Sequence, residues 1–207
     1  MRCVRLLAIC LAAVVLGAGL PGDAPAQQRW SLGAAAGIAN PAGDLDDFQD
    51  LGAALEADLG YRVLPRLDLR LMAAHHPLPG SDWNNVGPVR QRGDEPNGPD
   101  GTFTYVLLGA AVPFTHPEAS GWSVRALAAV GASHMELEPT AYSPGGTFWR
   151  RAFGGGVELA YPFGGGVSLV GRSLGMVFLR AGDGSDTGGR FGKELTFSYT
   201  AGLRVAF

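Results

Sequence analysis

Apolar and polar residues alternate with a two-residue period in several stretches of this chain. The last stretch is the cleanest. Leu195, Phe197, Tyr199, Ala201, Leu203, Val205 and Phe207 alternate with Glu194, Thr196, Ser198, Thr200, Gly202, Arg204 and Ala206. Successive side chains of a strand point to opposite faces, so the pattern predicts a strand with one apolar and one polar face. The same reading covers Trp30–Ile38, Ala53–Val63, Leu67–His75, Trp122–Ala132 and Phe148–Tyr161. Thr102–Val112 and Val167–Leu179 complete a set of eight with less even faces. In the latter Arg172 shares its parity with Leu174, Met176 and Phe178, and a bulge near Ser173–Gly175 is expected to separate them.

The connections alternate in length. Ala39–Asp50, His76–Gly101, Leu137–Thr147 and Arg180–Phe191 are long and polar; Leu64–Arg66, Pro113–Gly121 and Pro162–Gly166 are shorter and hold Pro or Gly. Tilted membrane-crossing strands of about 9–11 residues, even in number and joined by alternating short and long connections, make a membrane barrel. The fold class expected is all-β: a transmembrane, eight-stranded, antiparallel up-and-down β-barrel with both ends on the short-turn side. Aromatics support it. Trp30, Tyr61, Trp122 and Tyr161, with Phe207, fall on the apolar face at the short-turn rim. Trp149 takes the same place at the other rim, with Phe103 or Tyr105 as companions. Together they form an aromatic girdle.

The N-terminus supplies the route to a membrane. Arg2 and Arg5 precede the apolar run Leu6–Leu20, which Pro21 and Gly22 end before Ala24-Pro25-Ala26. This is the pattern of a secretory signal peptide, too short for a transmembrane helix. Residues 1–26 are therefore expected to be removed, leaving a single barrel domain over 27–207. Cleavage takes away Cys3 and Cys10, so the mature chain has no disulfide to rely on. Its 14 basic and 18 acidic residues give a net charge of −4, which offers no nucleic-acid footprint.

The polar faces carry Glu56, Asp58, Asp68, Glu158 and Glu194 together with Arg62, Arg70, Arg125, Arg150 and Arg204. An eight-stranded interior is about wide enough for side chains, so these ten are expected to form a charge network that fills the lumen rather than a selective channel lining. No catalytic pattern emerges. The histidines are His75, His76, His116 and His134, and Ser133 and His134, adjacent in a strand, would face opposite ways. Asp44, Asp46, Asp47 and Asp50, and the Gly182-Asp183-Gly184-Ser185-Asp186 turn, are metal candidates, the first group for Ca²⁺ or Mg²⁺. Their spacing is not that of an EF-hand, and solvated turn residues are the preferred reading. No metal, cofactor or enzymatic activity is expected.

The terminal stretch Tyr199-Thr200-Ala201-Gly202-Leu203-Arg204-Val205-Ala206-Phe207 resembles the end of the small eight-stranded outer membrane β-barrels, the group that includes the OmpA transmembrane domain, OmpX and the opacity-type proteins. The architecture matches over the whole mature chain. The resemblance implies that Tyr199, Leu203, Val205 and Phe207 are read by the barrel-assembly machinery. It implies a bacterial outer-membrane location, with outer membrane lipids and lipopolysaccharide as neighbours. It leaves function open. A structural or surface-interaction barrel, with an unknown ligand at its outer loops, is the expectation. A small passive pore is the alternative, and a lipid-modifying enzyme a more remote one.

Overall fold

The structure, a computed structural model, describes residues 29–43, 45, 49–80, 100–114, 121–139, 145–180 and 194–207. The expected signal segment 1–26 lies outside the described residues, as do Asp44, Asp46, Asp47, His116 and the turn 182–186. Eight strands follow in chain order: β1 (Trp30–Gly43), β2 (Gly52–Leu64), β3 (Leu67–Leu78), β4 (Gly101–Pro113), β5 (Ser123–Leu137), β6 (Gly146–Gly164), β7 (Val167–Arg180) and β8 (Glu194–Ala206). Each pairs antiparallel with the next, and β8 pairs with β1 to close the ring. At the seam Trp30 N–H donates to the Phe207 carbonyl (3.1 Å) and Phe207 N–H to the Trp30 carbonyl (2.9 Å). No strand edge is left open, which is the condition for sheet inside a bilayer.

Several strands outrun the alternation that predicted them, chiefly at the long-loop end. β1 reaches Gly43 and β3 reaches Leu78. Apolar alternation marks only the part of a strand that faces lipid, whereas ladder pairing continues beyond it. Following register partners once around the ring, a path leaving β1 at Trp30 returns to β1 at Asn40, a stagger of ten residues. Such a stagger goes with strands tilted by about 35–45°. The curvature is tight enough that a Cβ at Gly156 would lie 2.1 Å from the Ser173 carbonyl oxygen. Only glycine fits so close an approach.

The outer wall is apolar and uncovered. Leu108 is 60% exposed and Val130 54%, a surface that would be costly in water and is favourable in lipid. The rings of Trp30 and Tyr61 meet at 4.6 Å, and those of Trp122 and Tyr161 at 4.8 Å, each pair tilted, at the short-turn rim. Phe114 and Phe163 extend that rim. Trp149 projects outward at the opposite end.

Two expectations need correction. Phe103 and Tyr105 are not outward rim aromatics: both are buried inside the barrel. Strand β4 turns its odd positions inward, leaving Thr104, Val106 and Leu108 outside. Strand β7 has no bulge at Ser173–Gly175. Its pairing with β6 and β8 runs unbroken there, and Arg172, Leu174, Met176 and Phe178 all face inward. The irregularities fall instead beside the short turns, between Arg62 and Leu64 and between Pro162 and Gly164. Both errors have one cause: the inner face is not polar throughout.

Deleting Phe207 removes both seam hydrogen bonds and the last outward side chain. Its outer-membrane yield is expected to fall well below that of the parent, while the urea midpoint of the refolded protein changes little. Equal yields, measured on isolated outer membranes, would count against this.

Candidate functional site

The turn half of the lumen holds a compact ionic cluster. Asp58 Oδ1 accepts from Arg70 Nη1 (2.5 Å), Arg204 Nη2 (2.8 Å) and Arg172 Nη2 (3.3 Å). Glu158 is gripped at both oxygens by Arg204 (2.5 and 2.6 Å) and also accepts from Arg172 (3.0 Å). Glu56 takes Arg172 (2.8 Å) together with the hydroxyls of Ser198 (2.8 Å) and Thr200 (3.2 Å). All these charged side chains are buried. Towards the short-turn mouth Asp68 meets Arg125 (3.1 Å), Arg70 (3.4 Å) and the half-exposed Arg62 (3.5 Å). A cavity of about 80 Å³ opens there, lined in part by Arg62, Asp68, Arg125 and Arg204.

Register brings the partners together. Glu158 sits opposite Arg125 on one side and Arg172 on the other. Arg62 sits opposite Asp68. Glycine makes the room: Gly33, facing inward on β1, is the register partner of both Asp58 and Arg204. A Cβ at Gly33 would lie 2.0 Å from Asp58 Oδ2. The Arg204–Glu158 contact is a fork on a fork, the strongest geometry an arginine offers a carboxylate.

The loop half of the lumen is a different medium. Met72, Leu78, Phe103, Leu107, Leu174, Met176 and Phe178 pack there as one buried cluster, with Phe103 and Phe178 rings 5.6 Å apart. Leu45, from the connection after β1, belongs to the same cluster. Gln49 is buried beside it, bonded through its backbone to Leu45, and bridges to Gly80. Tyr105 Oη and His76 Nε2 share a hydrogen bond of 3.0 Å within this half.

Eight of the ten charges singled out from the sequence are thus joined around Asp58, Glu158 and Asp68. Arg150 and Glu194 form a separate pair, 3.6 Å apart, at the loop end. Sequence reasoning missed Arg172, because its neighbours Leu174, Met176 and Phe178 look like an outward stripe. Its signal was its place opposite Glu158 and Thr200. Of the terminal residues, Tyr199, Leu203 and Phe207 project outward, whereas Val205 is buried. Ser133 is buried inside and His134 meets Trp149 outside, edge to face at 4.8 Å, so the two share no face. Asp50 is exposed, and among the described residues no group of three or more His, Cys, Asp or Glu is placed to hold a metal ion.

No protein-family model and no characterised protein matches the chain. Solved structures do. Neisserial surface protein A superposes with a TM-score of 0.61 at 14% identity, over 86% of this chain and 97% of that one. A major outer membrane protein from Thermus thermophilus superposes with a TM-score of 0.56 at 17% identity, over 87% of this chain and 100% of that one. At these identities the likeness is one of fold: the chain has the architecture of the small eight-stranded outer membrane barrels.

Arg204 and Arg62 make a sharp comparison. Arg204→Ala takes one arginine from two buried carboxylates and leaves the cluster one positive charge short, which is expected to cost about 3–5 kcal/mol, while Arg62→Ala removes a half-exposed pair that contributes about 0–1 kcal/mol. Urea unfolding in lipid vesicles measures both. Similar losses for the two would contradict the assigned geometry. Gly33→Ala pushes a methyl group into Asp58 and is expected to cost about 1–3 kcal/mol. Gly165→Ala, in a turn where a Cβ meets nothing within 4 Å, controls for strain at positive φ alone.

Proposed function

We propose that this protein is a closed barrel of the bacterial outer membrane, exported by a signal peptide cleaved after Ala26, with a structural or surface-interaction role carried by its long loops. The lumen is plugged rather than conducting. The observation that carries this reading is the double filling of the interior. Arg70, Arg172 and Arg204 are locked onto Asp58 and Glu158 in one half, and Phe103, Leu107, Met176 and Phe178 are packed in the other. Water and ions would have to breach both layers. The small-pore alternative requires the charges to line a path, yet the terminal nitrogens of Arg204 are occupied on both sides by carboxylates.

The location is supported by the uncovered apolar wall, the aromatic rim and the likeness to a surface protein and a major outer membrane protein. Outer membrane lipids and lipopolysaccharide would contact that wall, and the barrel-assembly machinery would read the strand ending at Phe207. The ligand of the loops is not specified by any residue pattern. A lipid-modifying activity is disfavoured. His76 is engaged with Tyr105, His75 with Thr104, and His134 with Trp149, and no serine is brought to any of them by a hydrogen bond among the described residues.

Conductance of the refolded mature protein in a planar bilayer tests the plug. The parent and Arg204→Ala, which keeps the apolar layer, are expected to be silent at voltages where Arg204→Ala combined with Phe178→Ala passes discrete current. Steady conductance by the parent would replace the plug with the pore. Discrete current through Arg204→Ala alone would assign the seal to the ionic half alone.

A further inference from the structure

Above the aromatic rim, β3 to β6 carry no polar side chain on the lipid-facing wall for most of their length; Leu71, Leu108, Val130 and Phe153 are typical. The character then changes abruptly. The next outward residues are His75 on β3, Thr104 on β4, His134 on β5, and Arg151 and Trp149 on β6. His75 is the register partner of Thr104, Thr104 of His134, and His134 of Trp149. His75 Nδ1 and Thr104 Oγ1 are 3.0 Å apart, and the His134 and Trp149 rings meet edge to face at 4.8 Å. Arg151 is the outward neighbour of Trp149, exposed, with no carboxylate paired to it among the described residues. Glu136, the acid of this wall, lies further towards the loops on β5.

The patch is one-sided. The corresponding outward positions of β7 and β8 are Val177, Leu179, Leu195 and Phe197. Its height is fixed by the strands. Arg151 and Tyr161 both face outward on β6, ten residues apart. At about 3.3 Å per residue and the usual tilt, that is about 25 Å along the membrane normal. The apolar band of such barrels is about that tall, so Arg151 stands at its far boundary, where headgroups begin.

We propose that His134, Trp149 and Arg151, flanked by the His75–Thr104 pair, form a docking site for the phosphate of an outer-leaflet lipid headgroup, whose acyl chains lie along Val130 and Phe153. The orientation rests on the long loops being outside, as in the function proposed above. The chemistry follows from the donor set. A guanidinium, an imidazole and an indole N–H stand on two neighbouring strands, with no carboxylate between Arg151 and His134, and a phosphate supplies the acceptors and the charge they lack. A free anion would gain the same polar contacts but would leave the apolar wall below uncovered.

The test uses the full mature barrel in dodecyl maltoside micelles, which contain no phosphate. Lipid A carrying its phosphates is titrated in, and the thermal unfolding midpoint is followed by circular dichroism. A saturable rise is expected for the parent, and Arg151→Gln is expected to need about tenfold more lipid for half the rise, the loss of one charge-assisted contact. Arg151→Lys should recover part of it. His134→Asn, tested alongside, should weaken the effect without altering the midpoint in micelles alone. An equal response of parent and Arg151→Gln would overturn the site. So would an equal rise with dephosphorylated lipid A, which would reduce the effect to acyl chains. A matching rise with millimolar inorganic phosphate would reassign the patch to a free anion. Conductance does not depend on this patch, so a failure here leaves the plugged lumen standing, and a conducting parent leaves the lipid site standing.

Discussion

Closure of the ring is the constraint on which the other features depend. In lipid an unpaired backbone amide or carbonyl has no solvent to fall back on, so β8 must find β1, and the stagger of ten residues must be met all the way around. That stagger with eight strands fixes a narrow interior, about one layer of side chains deep. A narrow interior must be filled, and large inward side chains fit only where glycines such as Gly33 yield space. The same closure turns every second residue to lipid, which is why the outer wall has to be apolar between its two rims.

Much of this was legible in the chain. Alternation gave the number of strands, their order and the outward face of six of them, because one face of each meets a uniform apolar medium. The short-turn rim was legible because Trp30, Tyr61, Trp122 and Tyr161 all fall at strand ends on the apolar face. What failed was the assumption of a uniformly polar interior. Where the lumen itself is apolar, as around Phe103 and Phe178, both faces of a strand are hydrophobic and period two no longer says which is inside. Hence Phe103 and Tyr105 were assigned to the wall, and Arg172 was detached from its inward neighbours by a bulge that does not exist. Within the site, the acids and arginines could be named from parity alone, but not which of them meet. Parity says nothing of the distance between Arg204 on β8 and Glu158 on β6, strands that are not neighbours.

The two halves of the lumen stabilise the barrel in different ways. The apolar half depends on burial, which tolerates small rearrangements as long as volume is conserved. The ionic half depends on geometry. Four arginines, Arg70, Arg125, Arg172 and Arg204, face four carboxylates, Glu56, Asp58, Asp68 and Glu158. Desolvating such charges is costly, and the cost is offset only while each keeps its partners. A cluster balanced in this way loses more from the removal of one member than it gains from any single contact.

That sensitivity supplies something alternation cannot. A slip of one residue between two strands turns every apolar side chain inward and is strongly opposed. A slip of two residues preserves the faces, leaves the outer wall apolar and is nearly invisible to the lipid. It is not invisible to the lumen. Moving β8 by two residues against β7 would carry Arg204 away from its place opposite Ser168, about 7 Å along the strand. That is more than twice the length of either of its hydrogen bonds to Glu158. The same slip against β1 would set Gly33 opposite Gly202 or Ala206 in place of Arg204, and the space it yields would no longer serve the cluster. The wall chooses which residues face out; the charges choose which of the permitted registers the strands adopt.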